Sequence, residues 1–194
     1  MKAWILSFAL GLVLSAPGWA ATPARPLPGN SVYLLPVTLT DASARPFAWQ
    51  QLRGKPRIAT MFYSSCPFMC PLIIESSKGV DHALSPAERA KLGYVFVSMD
   101  PKRDSPKALT ALAKKRGIDL NRWDLLQPQP RDVRLIAGVL DVRYRALANG
   151  EFNHTSVLIL LDAEGRIVAR TESIGPTPDP EFLQAVHKTL AAAH

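Results

Sequence analysis

Three apolar runs mark the strands that this sequence predicts. Residues 57–63 and 94–99 are almost continuously apolar, which is typical of strands buried in a sheet that is covered on both faces. A third run, at residues 155–161, is followed by the turn Asp162-Ala163-Glu164-Gly165 and a return strand at 166–170. Partial alternation also predicts an antiparallel hairpin or edge strand within residues 31–40, and residues 142–144 predict a short strand.

Helical patterns fill the intervals between these runs. They predict helices at residues 71–84, 106–116, 131–140 and 180–191, and a short helix that begins at Ser85, where Ser-Pro-Ala-Glu forms a capping box. The order of elements is strand, cysteine loop, helix, strand, helix, an optional strand, helix, hairpin and helix. This order predicts an α/β protein with a thioredoxin-like fold, in which helices flank a central mixed β-sheet and an extra hairpin lies at the N-terminus.

The N-terminal residues have the pattern of an export signal. Lys2 precedes an apolar run at residues 5–14, and Pro17-Gly18 and the small residue Ala20 follow it, so we expect a signal peptide at 1–20 that is cleaved after Ala20. The run is short for the roughly 20 residues that a membrane-spanning anchor needs. Residues 21–30 are rich in proline and predict a linker, and residues 31–194 form the single folded domain. We therefore expect a periplasmic protein.

Composition narrows the possible functions. The chain has 194 residues and a formal net charge of +7, but its basic run at 114–116 lies at a predicted helix end, where cations suit the exposed carbonyl groups, so we expect no nucleic-acid partner. The dispersed cations are either a solvated surface or a means of steering toward an acidic partner or an anionic membrane. Two cysteines are too few for a disulfide-stapled scaffold in an exported chain of this length, which indicates a chemical role for them.

Both cysteines lie in one segment, Cys66-Pro67-Phe68-Met69-Cys70-Pro71. A residue before proline is disfavoured in the helical region, so we expect both cysteines to be extended, with Pro71 at the first helical position and Cys70 at or beside the N-cap. A helix N-terminus favours a thiolate and lowers the pKa of a thiol. Thiols at this spacing can form a disulfide or hold a soft metal ion.

The spacing of three residues between the cysteines gives two thiolates more room to spread around one ion than a two-residue spacing does. His154 is the candidate third ligand, because it lies at the start of the predicted strand 155–161, where a side chain can emerge at a sheet end. A lone histidine beside a strand commonly serves packing or hydrogen bonding instead, and sequence spacing alone does not bring it to Cys66.

Three separated segments resemble the Sco/SenC family, the exported copper-binding proteins that serve assembly of cytochrome c oxidase. They are the CPxxCP-type cysteine pair at 66–71, Asp-Pro-Lys-Arg-Asp-Ser-Pro at 100–106, and His154-Thr155-Ser156 before an apolar strand. The resemblance covers about residues 31 to 190. A CxxxC pair alone would be a weak signal, whereas all three segments in this order are specific.

The resemblance implies a metallochaperone that binds one copper ion through Cys66, Cys70 and His154. Two thiolates and an imidazole favour Cu(I), with Cu(II) possible. The implied partner is the copper-acceptor subunit of cytochrome c oxidase or a related periplasmic copper protein, so the protein, which we expect to be a monomer, would work near the membrane through its partner. In the family the same cysteines also cycle between dithiol and disulfide.

The chain departs from the family pattern at Phe68, where members commonly have an aspartate. A phenyl ring makes the loop more apolar, which should favour Cu(I) over Cu(II). Met69 is either a weak thioether ligand or packing material. Asp100 and Asp104 either serve turn and helix-cap chemistry or orient the site and meet the partner.

The main alternative to a chaperone is a thiol:disulfide oxidoreductase that reduces the cysteines of the copper acceptor. Its redox pair would be Cys66 and Cys70, and it would not need His154. A peroxide-reducing thiol enzyme suits the fold, but the usual surroundings of a peroxidatic cysteine are missing around Cys66.

Overall fold

The computed structural model of the protein describes residues 25–193. The predicted signal peptide at 1–20 and the first residues of the predicted linker lie outside this range. Between residues 25 and 193, no helix has the length and apolar character needed to cross a membrane.

In the described part of the chain, nine strands form one large sheet and one small hairpin. They are β1 (Thr38–Asp41), β2 (Pro46–Ala48), β3 (Arg57–Phe62), β4 (Gly93–Ser98), β5 (Trp123–Gln127), β6 (Tyr144–Ala146), β7 (Phe152–His154), β8 (Leu158–Leu161) and β9 (Ile167–Thr171). The large sheet has the order β2-β1-β5-β4-β3-β8-β9, and β6 pairs with β7 alone. Strands β3, β4 and β5 are parallel neighbours, whereas the outer pairings are antiparallel, so the sheet is mixed as predicted.

Five α-helices of the described residues accompany the sheet: α1 (Met69–Ala83), α2 (Pro86–Lys91), α3 (Pro106–Arg116), α4 (Val133–Val139) and α5 (Pro180–Ala192). The capping box predicted at Ser85 is present, because its hydroxyl accepts from the Glu88 N–H while the Glu88 carboxylate accepts from the Ser85 N–H. Helix α3 ends at Gly117, which has φ +60°, a left-handed conformation that glycine adopts without steric cost.

The centre of the sheet aligns the segments that carry the candidate chemistry. Every residue of β3 and β4 is buried, as the continuous apolar runs predicted, and the parallel register pairs Phe62 with Ser98 at the carboxyl end of both strands. The cysteine loop follows β3 and the Asp100–Asp104 segment follows β4. Both segments therefore meet at one edge of the sheet.

Several predicted boundaries were wrong. Helix α1 begins at Met69, so Cys70 is helical and not extended, and Pro71 is the third helical residue. Proline is tolerated there because the first four N–H groups of a helix have no intrahelical acceptor. Residues 31–40 begin with a single 3₁₀ turn at Val32–Leu34 before β1. The N-terminal hairpin of β1 and β2 is present, but its second strand ends at Ala48, beyond the residues predicted for it.

The region around His154 also differs from the prediction. The strand predicted at 155–161 begins only at Leu158, and His154 instead ends β7, which pairs with β6 rather than with the large sheet. The strand predicted at 142–144 is β6, displaced toward the C-terminus. Strand β5 lies where the optional strand was predicted, whose bounds could not be predicted.

Candidate metal centre

The two cysteines lie at the N-terminus of α1 as free, buried thiols. The Cys70 N–H, one of the groups that the first turn leaves without a helical acceptor, donates to Cys66 Sγ at 3.4 Å. The Tyr63 N–H donates to Cys70 Sγ, also at 3.4 Å. The sulfur of Cys66 thus occupies the position of a capping acceptor, and the backbone of the residue that follows β3 holds the sulfur of Cys70.

This arrangement separates the ionisation of the two thiols. Hydrogen bonds from the Cys70 thiol and from the Cys70 and Phe68 N–H groups lower the pKa of Cys66 to about 4, although burial opposes the shift. The hydrogen bond to Cys66, together with burial, raises the pKa of Cys70. Cys66 is therefore the thiolate of the pair at neutral pH, and Cys70 keeps its proton.

Asp104 holds the cysteine loop in place through its side-chain carboxylate. Its carboxylate is fully buried and accepts from the Ser64 N–H at 3.1 Å, from the Ser64 hydroxyl, and from the Ser98 hydroxyl at 2.6 Å. The cap of α3 is Ser105, whose hydroxyl accepts from the Ala108 N–H. Of the two roles that the sequence left open for Asp104, the contacts support orientation of the site.

Asp100 has a different environment from Asp104. It is buried, its N–H donates to the Ser98 hydroxyl, and its carboxylate pairs with Arg103. The Arg103 guanidinium also donates to the Gly150 carbonyl in the turn between β6 and β7. Asp100 thus acts on the histidine-bearing hairpin through Arg103.

His154 faces the cysteine loop across a cleft of about 320 Å³. The lining of this cleft includes Cys66, Phe68, Phe152 and His154. Nδ1 of His154 lies 3.1 Å from the Thr155 carbonyl oxygen, and a proton on Nδ1 would leave the lone pair of Nε2 for a metal ion. The half-buried imidazole also borders a second, more polar cleft of about 580 Å³ that Arg143 and Arg145 line.

The three predicted ligands are close together but do not form a closed site. Cys66 and His154 share the cleft, whereas Cys70 lies directly behind Cys66 and is only 3% exposed. Within residues 25–193, no three side chains of the His, Cys, Asp and Glu types are close enough together to hold a metal ion as they stand. The Cys70 thiol already contacts Cys66, so binding through all three residues would require the imidazole of His154 and the two sulfurs to come closer together.

Tyr63 and Glu151 are site residues that the sequence analysis did not identify. The Tyr63 hydroxyl donates to the Glu151 carboxylate at 2.7 Å, and its ring lies edge-on to the rings of Phe152 and His154. Tyr63 could have been predicted as a site residue from its position in the sequence, shortly before Cys66. Nothing in the sequence indicated Glu151, because its partner is 88 positions away.

Met69, the other residue considered as a ligand, lines the cleft together with Phe68, whereas His82 and His187 are not among its lining residues. Phe68 and Met69 are 77% and 36% exposed, so neither is packing material of the core. His82 is an exposed residue of α1, and His187 pairs with Glu88 at 2.6 Å.

Comparison with known proteins gives one consistent family. The family model described as SCO1/SenC matches residues 28–191. The mitochondrial protein SCO2 of Saccharomyces cerevisiae is 34% identical over 74 residues, which cover 38% of this chain and 25% of that protein. A Stutzerimonas stutzeri protein named for copper binding is 28% identical over 107 residues, which cover 52% of each chain. The chain thus spans between a quarter and about half of the length of these curated relatives.

Solved structures match over a larger share of the chain. ScoI of Bradyrhizobium japonicum, determined with copper bound, has a TM-score of 0.66 and 22% identity over 82% of this chain and 98% of its own. BsSco, described as having a disulfide switch and as a member of the Sco family of cytochrome c oxidase assembly proteins, has a TM-score of 0.69 and 19% identity over 80% and 92% of the two chains. These likenesses confirm the predicted thioredoxin-like fold.

Proposed function

The chain belongs to the SCO1/SenC family, and we propose that it is a periplasmic copper chaperone that binds one Cu(I) ion through Cys66, Cys70 and His154. It delivers this ion to a copper centre of cytochrome c oxidase during assembly. The observation that carries the proposal is that Cys66, whose sulfur accepts a hydrogen bond from the Cys70 N–H, lines one cleft together with the distal His154. The copper named for one relative and bound in ScoI supports it.

The donor set suits the proposed cargo. Thiolates and an imidazole are ligands that Cu(I) accepts, and a site with few ligands lets a recipient take the ion by ligand exchange. Cys66 is ready to bind because it is ionised, whereas Cys70 must release its proton as the metal enters. The rings of Phe68 and Phe152 give the cleft apolar walls, which favour the singly charged ion.

The remaining sequence predictions belong to this proposal. Residues 1–20 direct export and are removed, residues 21–30 form a linker, and the domain from residue 31 onward meets a membrane-bound acceptor as a monomer. Arg143 and Arg145, which border the cleft beside His154, steer the protein toward an acidic acceptor surface. The oxidase role described for BsSco supports this choice of acceptor.

An anaerobic Cu(I) titration against a chromophoric competitor tests the proposed ligands. The reduced protein without residues 1–20 should bind one equivalent tightly, and Cys66→Ser, Cys70→Ser and His154→Ala should each weaken binding at least tenfold. His82→Ala is the matched control, because His82 is exposed on α1 away from the cleft, and it should bind as the wild type does. Full affinity in His154→Ala would reject the three-ligand site.

A second candidate function, thiol:disulfide oxidoreductase, is favoured by the unequal pKa values of the cysteines. The Cys66 thiolate would attack a disulfide of the acceptor and form a mixed disulfide, and the Cys70 thiol, on losing its proton, would then release the reduced acceptor. The protein would be left as a Cys66–Cys70 disulfide that an external dithiol must reduce.

The two candidates differ in their dependence on His154. If the protein is a reductase, Cys66→Ser should have no activity in a peptide-disulfide reduction assay, and His154→Ala should keep most of the wild-type activity. Equal rates for the wild type and Cys66→Ser would remove this candidate.

A further inference from the structure

The hairpin that bears His154 depends on contacts with the rest of the protein for its position. It consists of β6 and β7, with three residues in each strand, and among residues 25–193 these strands pair only with each other. A two-stranded hairpin of this size is marginally stable at best in water. Contacts with the rest of the fold must therefore fix where the imidazole lies.

Tyr63 makes the most direct contact between this hairpin and the cysteine loop. Its hydroxyl donates to the carboxylate of Glu151, which immediately precedes β7, at 2.7 Å. Its ring centroid lies 5.2 Å from that of Phe152 and 5.9 Å from that of His154, both in edge-on geometry. The side chain of Tyr63 thus contacts one end of β7 through its hydroxyl and the length of β7 through its ring.

The backbone of the same residue holds the cysteines. The Tyr63 N–H donates to Cys70 Sγ at 3.4 Å, and its carbonyl accepts from the Cys66 N–H at 3.2 Å. Tyr63 is 3% exposed, so its position is fixed by the fold. A single buried residue therefore touches both cysteines and the element that carries the histidine.

We infer that Tyr63 is a positioning residue for the metal site, whose hydroxyl bond to Glu151 holds the β6–β7 hairpin so that His154 stays beside the cysteine loop. This inference rests on the proposed copper function. Without the bond, the hairpin keeps the Arg103 contact at Gly150, which lies at the exposed turn, and the ring contacts of Tyr63, but it loses its part-buried polar attachment next to β7. The imidazole must then be ordered when copper binds, at a cost in affinity.

Cu(I) affinities of Tyr63→Phe and Glu151→Ala test the attachment. Each variant removes one side of the hydrogen bond, and each should weaken binding by about tenfold, a size typical of hydrogen bonds to charged groups. The double variant should be no weaker than either single one, because both remove the same bond. Glu151→Gln keeps an acceptor oxygen and should retain most of the affinity.

Two further variants separate positioning of His154 from a general loss of structure. In a His154→Ala background, Tyr63→Phe should have no additional effect on Cu(I) affinity, since the tyrosine acts through the histidine. Tyr144→Phe is the matched control. It also removes a hydroxyl from this hairpin, and the Tyr144 hydroxyl has no hydrogen bond among residues 25–193, so the variant should bind copper as the wild type does.

The outcomes are distinguishable from those for the copper site itself. If His154→Ala weakens binding while Tyr63→Phe does not, the copper proposal stands and the positioning role is rejected. If Tyr63→Phe weakens binding equally with and without His154, Tyr63 acts on the cysteines and the inference is also rejected. If His154→Ala has no effect, the three-ligand site fails, and the role of Tyr63 fails with it.

Discussion

Replacing Asp104 by alanine should destabilise the reduced, copper-free protein by about 3 kcal/mol. The carboxylate is fully buried and accepts hydrogen bonds from the Ser64 N–H, the Ser64 hydroxyl and the Ser98 hydroxyl, so it joins the ends of β3 and β4 to the start of α3. Alanine leaves these donors without their acceptor, and each buried unsatisfied donor costs about 1–3 kcal/mol.

The expected value is lower than the combined cost of three orphaned donors for two reasons. The serine hydroxyls can rotate, so only the Ser64 N–H is fixed in direction. Burial also raises the pKa of Asp104, so the wild type bears a desolvation cost that alanine removes. Asp104→Asn keeps one acceptor oxygen but turns an amide N–H₂ toward the donors, and it should lose about half as much stability as Asp104→Ala.

Urea unfolding followed by circular dichroism measures the effect. With a slope of about 2 kcal/mol/M, a loss of about 3 kcal/mol lowers the midpoint by about 1.5 M. Glu75→Ala is the control, because its partly exposed ion pair with Lys78 contributes little to stability, and its midpoint should match the wild type. An Asp104→Ala midpoint within about 0.3 M of the wild type, with an unchanged slope, would refute the reasoning.

Two further predictions concern the cysteine loop. Phe68→Asp replaces a side chain that is 77% exposed, so the variant should fold normally, and its Cu(II) affinity should rise relative to its Cu(I) affinity because a carboxylate is a harder ligand than the apolar loop offers. Competitor titrations with both ions measure this change. Leu72→Asp is a control with the same charge change, and an equal gain in that variant would contradict the prediction. The pKa of Cys66 is lowered to about 4, against about 8.5 for a free thiol. Between these pH values the unfolded chain therefore binds more protons than the folded protein, so this thiol adds to the free energy of unfolding as the pH rises through that window. The urea midpoint of the wild type should therefore rise more between about pH 5 and pH 8 than that of Cys66→Ser, and parallel pH profiles would show that Cys66 is not ionised in the folded state.

Much of the local structure could be predicted because its causes are local. The capping box at Ser85 and the left-handed glycine at Gly117 need only their immediate neighbours, and both are present. The continuous apolar runs predicted β3 and β4 because a strand with no polar alternation must be covered on both faces. The predicted start of α1 was wrong. Residues before proline prefer an extended conformation, but this preference is weak compared with the hydrogen bonds that the first turn makes with Cys66 and Tyr63.

Some features of the candidate site could likewise be predicted from the sequence, and others could not. The CxxxC pair and His154 were predicted as ligands from their residue types and from a family resemblance, and the structure brings Cys66 and His154 to one cleft while it places Cys70 behind Cys66. The location of His154 on a separate hairpin could not be predicted, because pairing of β6 with β7 depends on how the hairpin packs against Tyr63. Glu151 was missed for the same reason.

By itself, the sequence determined the order of the elements, the buried centre of the sheet and the thiol and imidazole chemistry, because these follow from neighbouring residues and from residue type. Tertiary structure alone decided which thiol is ionised, how Asp104 supports the loop and how Tyr63 meets Glu151. The last two depend on hydrogen bonds between residues 40 and 88 positions apart. The first depends on how close the two sulfurs lie and on burial, which exist only once the chain has folded.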